Sequence, residues 1–190
     1  MQHPVLLALL SCLVAVPFVQ GQAQTDTQAK IEDAMSAAPP SISANATILD
    51  YPAEPGGEKI VLRKGTNGWT CLPDNPNLPA KNPMCVDDQW MELFGAVADK
   101  RDPNITQIGF AYFLQGGATR SNTNPWDTGM TPDNEWMEVQ VPHVGIVYPD
   151  KALLEGVPTD PNNGGPWVMW RNTPYVHIML PMPKHVPDKR

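Results

Sequence analysis

The sequence predicts an α+β fold: a mostly antiparallel sheet of five or six strands with one main helix over about residues 87–99, Pro-rich loops and one disulfide. Three observations predict it. Val86, Trp90, Leu93, Phe94 and Val97 recur at helical spacing and form one apolar stripe. Several short apolar runs are bounded by turn residues, the pattern of strands. Finally, 22 Pro and 14 Gly among 190 residues deny the chain long uninterrupted helices. That content still lies below the ~25–30% of low-complexity chains. With 42% hydrophobic residues the chain can build a core, and its length suits one domain. A net charge of -7 speaks against nucleic acid as a partner, which requires a basic face.

The elements follow in order. Residues 1–21 contain no Asp, Glu, Lys or Arg, and Val5 to Val19 is almost wholly apolar, so a signal peptide cleaved after Gly21 or Ala23 is expected. The run is too short for a comfortable membrane span of about 20 residues. After cleavage no membrane association is expected, and the protein is placed as secreted or periplasmic. Residues 24–57 are read as a short helix over Thr25 to Ala38 and then an extended arm with one edge strand around Ile48-Leu49. A single globular domain is expected over 58–180, followed by a loose tail over 181–190.

Within that domain Lys59 to Arg63 reads as a strand. Removal of the leader takes Cys12 with it and leaves Cys71 and Cys85, an even pair in an oxidising compartment, which reads as one disulfide closing a rigid Pro-rich loop. In the main helix Asp87 and Asp88 stand where an N-cap and the helix dipole favour carboxylates, Lys100 and Arg101 where they favour cations. Ile105 to Gln115 reads as a central strand, apolar on both faces. Ala118 to Gln140 is expected to be irregular apart from a short piece at Trp136 to Val139, and such a long loop is often functional. His143 to Tyr148 is a strand and Lys151 to Glu155 a helical turn. Trp167 to Trp170 and Tyr175 to Leu180 form a hairpin around Arg171-Asn172-Thr173-Pro174.

The segments Gly65-Thr66-Asn67-Gly68-Trp69-Thr70-Cys71, Asn82-Pro83-Met84-Cys85, Trp90-Met91-Glu92, Leu114-Gln115-Gly116-Gly117, Ser121-Asn122-Thr123-Asn124-Pro125, Gly164-Gly165-Pro166-Trp167-Val168-Met169-Trp170 and Thr173-Pro174-Tyr175-Val176-His177-Ile178-Met179 resemble a family of secreted bacterial proteins of no established function. The resemblance spans most of the mature chain. It implies a periplasmic or extracellular place and carries no activity, ligand or catalytic residue.

Candidate site residues come from chemistry alone. Trp126, Trp136, Trp167 and Trp170 are candidate ligand-binding residues, because Trp is favoured in stacking and interface sites. His143 and His177 lie on two predicted strands and are candidate metal ligands, for zinc or copper; the alternative is that each is a histidine satisfied by its neighbours. Met179, Met182 and His185, near Met169, Trp167 and Trp170, could hold Cu(I), although Met more often fills a core. The carboxylates Asp74, Asp87, Asp88, Asp127, Asp133, Glu135, Glu138 and Asp160 could supply a glycosidase pair or bind calcium, but carry no ligand spacing and serve as well for capping. No GxSxG or phosphate-binding glycine loop is present. Two Asn-x-Thr sequons, at Asn45 and Asn104, bear on glycosylation in a eukaryotic source.

The leading expectation is therefore an exported ligand-binding or surface-interaction module for a small-molecule, glycan or protein ligand, with no cofactor. It would use the loop from Gly116 to Gln140 and the Trp167/Trp170 region. The alternatives are a secreted hydrolase using paired carboxylates or a His-centred metal, and copper binding through the Met/His/Trp set.

Overall fold

The computed structural model describes residues 18–54, 56–78, 80–139 and 141–183. The helices are α1 (Phe18–Met35), α2 (Pro40–Ser43) and α3 (Asp88–Asp99). The strands are β1 (Thr47–Asp50), β2 (Ile60–Arg63), β3 (Thr70–Leu72), β4 (Met84–Val86), β5 (Gly109–Phe113), β6 (Ala118–Ser121), β7 (Trp136–Val139), β8 (His143–Val147), β9 (Trp167–Met169) and β10 (His177–Pro181). This corrects the expected layout of five or six strands and one main helix. Eight strands form one mixed sheet in the order β2-β1-β3-β4-β5-β8-β10-β9, and β6 and β7 form a second, two-stranded sheet. Among the described residues all pairings are antiparallel except β1 with β3.

Three local readings change with it. The segment around Ile48-Leu49 is no edge strand: β1 lies between β2 and β3, and Ile48 is fully buried. The segment expected to be irregular contributes β6, whose partner β7 lies 15 or more residues further on in the register Ala118↔Val139 to Ser121↔Trp136. The central strand β5 is covered fully on one face and only in part on the other. Ala111 and Phe113 are buried, whereas Phe110 is exposed and Tyr112 half-buried.

Strand alternation sorts the two helices onto opposite faces. Cys85 pairs with Tyr112, and Val86 with Ala111. Ile48, Cys71, Cys85 and Tyr112 join the cluster that packs on Ala34, Ala37 and Ala38 at the end of α1 and just beyond it. Val86, Ala111, Phe113, Val147 and Met179 join the other, built around Trp90, Leu93 and Ala96 of α3. The small residues of α1 let its backbone come close to the sheet, and the sulfur of Cys85 lies 3.6 Å from the Ala34 carbonyl. Cys71 and Cys85 are direct cross-strand partners on β3 and β4, and they are disulfide-bonded.

Helix α3 begins and ends as its residues demand. The Asp87 carboxylate accepts from the Trp90 amide at 3.0 Å and also from the Phe110 amide at 2.6 Å, so one side chain both caps the helix and ties it to β5. At the other end Lys100 takes a left-handed conformation with φ 54. Trp90 then lies directly on Gly145 of β8, where any Cβ would overlap its six-membered ring. Gly117, with φ +83, leaves similar room for the Lys81 carbonyl, so the chain entering β6 runs against the segment leading into β4. The leader expected over 1–21 falls mostly outside the described residues; those of its residues that are described, 18–21, belong to α1. Of the expected tail, 184–190 lies outside as well. No helix among the described residues is long and apolar enough to cross a membrane.

Two stability changes are expected. Gly145→Ala forces Trp90 off the sheet and should cost about 1–3 kcal/mol or more by urea unfolding. Cys71→Ser with Cys85→Ser should cost up to about 3 kcal/mol, the chain-entropy value for a loop of this size. The prolines that already stiffen the unfolded loop should reduce that figure.

Candidate functional site

Between α3 and the sheet lies an apolar pocket of about 210 Å³. A single water needs on the order of 10–15 Å³ of such space, so the pocket has room for an organic molecule. Trp90, Phe94 and Val97 of α3 line it from the helix, Met84 and Phe113 from β4 and β5, and Met169, Trp170 and Met179 from the region of β9 and β10. Ala98, at the exposed end of α3, also lines it, which places an opening beside the last helical turn. Four polar residues complete the wall: Asn82, Arg120, His143 and His177.

The two histidines share one construction. Nδ1 of His143 lies 2.9 Å from the Val141 carbonyl and Nδ1 of His177 lies 2.9 Å from the Tyr175 carbonyl, each two residues earlier in the chain. A carbonyl only accepts, so each Nδ1 carries the hydrogen and each Nε2 presents a lone pair. Aromatic rings hold both imidazoles. Phe113 stacks on His143 at 4.7 Å, and the edges of Trp90 and Trp170 meet His177 at 5.0 and 4.9 Å. Burial pushes the His143 imidazole down to about 4, against the opposing effect of its bond to Val141. Burial likewise lowers His177 to about 4; the carbonyl of Tyr175 opposes this and His143 adds to it. Both rings are therefore neutral at pH 7. Nε2 of His143 is buried and has no hydrogen-bond partner among the described residues.

Arg120 sits on β6 and is half-buried. Burial lowers its guanidinium pKa, with the Tyr51 hydroxyl acting the other way. Tyr51 is itself raised to about 12 by burial first, so it is neutral and no counter-ion. Among the described residues no carboxylate pairs with Arg120.

The other sequence candidates divide between places. Trp170 walls the pocket, its Nε1 bonded to the Ser121 carbonyl at 3.0 Å. Trp167 is buried in the same core but faces a second, open cleft of about 670 Å³, which Trp136, Glu135, Glu138 and Asp160 also line. Trp126 stands apart on the surface, donating to the Val97 carbonyl at 3.0 Å, with Lys100 over its ring at 5.9 Å. The four tryptophans thus do not form one aromatic face. Met169 and Met179 line the pocket, Met182 is exposed, and His185 lies outside the described residues. No group of three or more His, Cys, Asp or Glu is placed to hold a metal among the described residues.

Several loop carboxylates have structural duties. Asp87 caps α3, Asp74 accepts from the Asn82 amide, Asp127 accepts from Asn124 and Asn134, and Asp160 accepts from the Asn162 amide. Sequence reasoning missed Arg120, Asn82, Trp90 and Phe113 as site residues. Arg120 stands among Thr and Ser in a stretch without an apolar pattern, so nothing marked it. Trp90 and Phe113 were legible as core, and a residue lining an interior pocket carries the same signature. Compared with family models, curated proteins and solved structures, the chain matches none.

The depressed histidines make folding pH-dependent. Between their ordinary value near 6.5 and about 4 the unfolded chain binds protons that the native one refuses, so stability is full above pH 6.5 and falls as the pH drops toward 4. Each histidine should contribute about 1.4 kcal/mol per pH unit within that window. Urea unfolding of the wild type should show this slope between pH 6.5 and 5, above most carboxylate titrations, and the double variant His143→Gln, His177→Gln should be nearly flat there.

Proposed function

We propose that the protein is an exported binding module for a small, mostly apolar molecule, held in the pocket beneath α3. The observation that carries the reading is a largely apolar pocket whose wall includes His143, the buried Nε2 of which is an acceptor without a partner among the described residues. An unsatisfied buried acceptor costs about 1–3 kcal/mol, and a ligand hydroxyl or N–H could relieve that cost on binding. Most ligand pockets combine apolar walls with a few such polar groups. The disulfide supports export, since structural disulfides persist in oxidising compartments.

Binding fits the wall better than catalysis. Among the described residues the lining contains no Ser, Cys, Asp or Glu to act as nucleophile or acid. An imidazole lowered to about 4 is a weak base at neutral pH, far from the matched pKa that acid–base catalysis favours.

The test is a fluorescence titration with 2-naphthol, a neutral bicyclic probe with a hydroxyl donor, monitoring the tryptophans of the pocket wall. Saturable quenching is expected, and it should vanish in Ala98→Phe, which fills the opening from an exposed position. Quenching that persists in that variant would place the probe elsewhere and overturn the reading.

A further inference from the structure

We propose that the ligand is a small monocarboxylic acid with an apolar body, its carboxylate paired with Arg120. This rests on the pocket reading above and names the ligand's charge. With both imidazoles neutral, Arg120 is the sole charged group of the pocket wall among the described residues. Half-buried cations normally find a carboxylate, because leaving water uncompensated is costly. Three carboxylates, Asp50, Asp33 and Asp74, are engaged by other partners. Asp50 pairs with Lys30 at 2.5 Å, Asp33 with Lys81 at 2.7 Å, and Asp74 accepts from the Asn82 amide at 2.9 Å.

Arg120 thus lines the pocket with its donors free of any acidic side chain among the described residues. Its planar fork matches a carboxylate with two parallel hydrogen bonds. One unbalanced positive charge in an apolar wall selects a monoanion, since a second negative charge would itself be buried unpaired. Asn82 adds polarity to the same wall and is buried. Its side-chain oxygen accepts from the Asn75 amide at 3.4 Å, and no hydrogen bond engages its side-chain nitrogen among the described residues. At the imidazoles the polarity reverses, because the Nε2 atoms only accept. A hydroxyl or N–H on the ligand's body would be taken there.

The experiment compares three probes of one shape: 2-naphthoate, 2-naphthalenemethanol and 2-naphthylmethylammonium, each titrated against wild type, Arg120→Met, Arg120→Lys and Ala98→Phe, with thermal unfolding reporting whether each variant folds. A charge-assisted hydrogen bond of about 1.5–3 kcal/mol corresponds to about a ten- to hundredfold preference for naphthoate over the alcohol. Arg120→Met should abolish that preference while the alcohol still binds, and Arg120→Lys should retain part of it. Equal or tighter binding of the alcohol or the ammonium, blocked by Ala98→Phe, would overturn the carboxylate assignment and leave the pocket reading standing. Failure of all three probes would overturn both. Should Arg120→Met fail to fold, the wild-type ranking and Arg120→Lys decide the question.

Discussion

The contact on which the rest of this structure depends is the seating of Trp90 on the bare backbone of Gly145. It brings α3 down onto β8, and because Asp87 ties the same helix to β5 through the Phe110 amide, the helix is held at two points of the sheet. A tryptophan buries more area than any other side chain, so it anchors the larger core. Its ring also meets Phe94, Phe113 and His177 edge-on, at 5.5, 6.1 and 5.0 Å. The pocket is what remains beside this anchor. Its height is set by the helix that Trp90 holds down, and its polar wall by His143, His177 and Arg120 of β8, β10 and β6 together with Asn82.

The opposite face is built on another principle. Alanines at the end of α1 and just beyond it, together with the cross-strand disulfide, replace bulk by close approach, and the parallel pairing of β1 with β3 lies beneath them. The division is one of labour. The disulfide end holds short strands that could not persist alone, β3 and β4 having three residues each. The α3 end leaves space between large rings and can therefore host a guest. Gly117 joins the two, since its contact with the Lys81 carbonyl carries β6, and with it Arg120, next to the strand that the disulfide anchors.

What could be read from the sequence was local. The main helix was legible because its apolar stripe and its capping carboxylate lie within one short segment. The hairpin of β9 and β10 was legible for the same reason, as was the disulfide once the cysteines were counted. The burial of β1 was not, because it depends on α1 and on a partner strand that begins 20 residues later. Strand β6 was not legible either: Ala118-Thr119-Arg120-Ser121 has no alternation, and only its pairing with Trp136 to Val139 makes it a strand. The same distinction governs the site. His143 and His177 stood out by residue type and by their strands, yet their shared pocket is a property of the sheet, in which β8 and β10 are neighbours. Arg120 reaches it from a different sheet altogether.

That guanidinium also bears on which kind of guest the two imidazoles could share. Neutral nitrogens with free lone pairs, beside three methionines, resemble on chemistry alone a place for a soft cation. Arg120 opposes this. Two positive charges in one largely apolar pocket repel, and the same fixed charge attracts an anion. Close approach with two hydrogen bonds widens the gap further. A metal would also have to draw its ligands to within about 2 Å, against rings already fixed by stacking and by their Nδ1 bonds to backbone carbonyls. An organic anion needs no such movement. It can span the pocket, meeting the charge with its carboxylate and an imidazole with a donor, and the wall stays as the core has packed it.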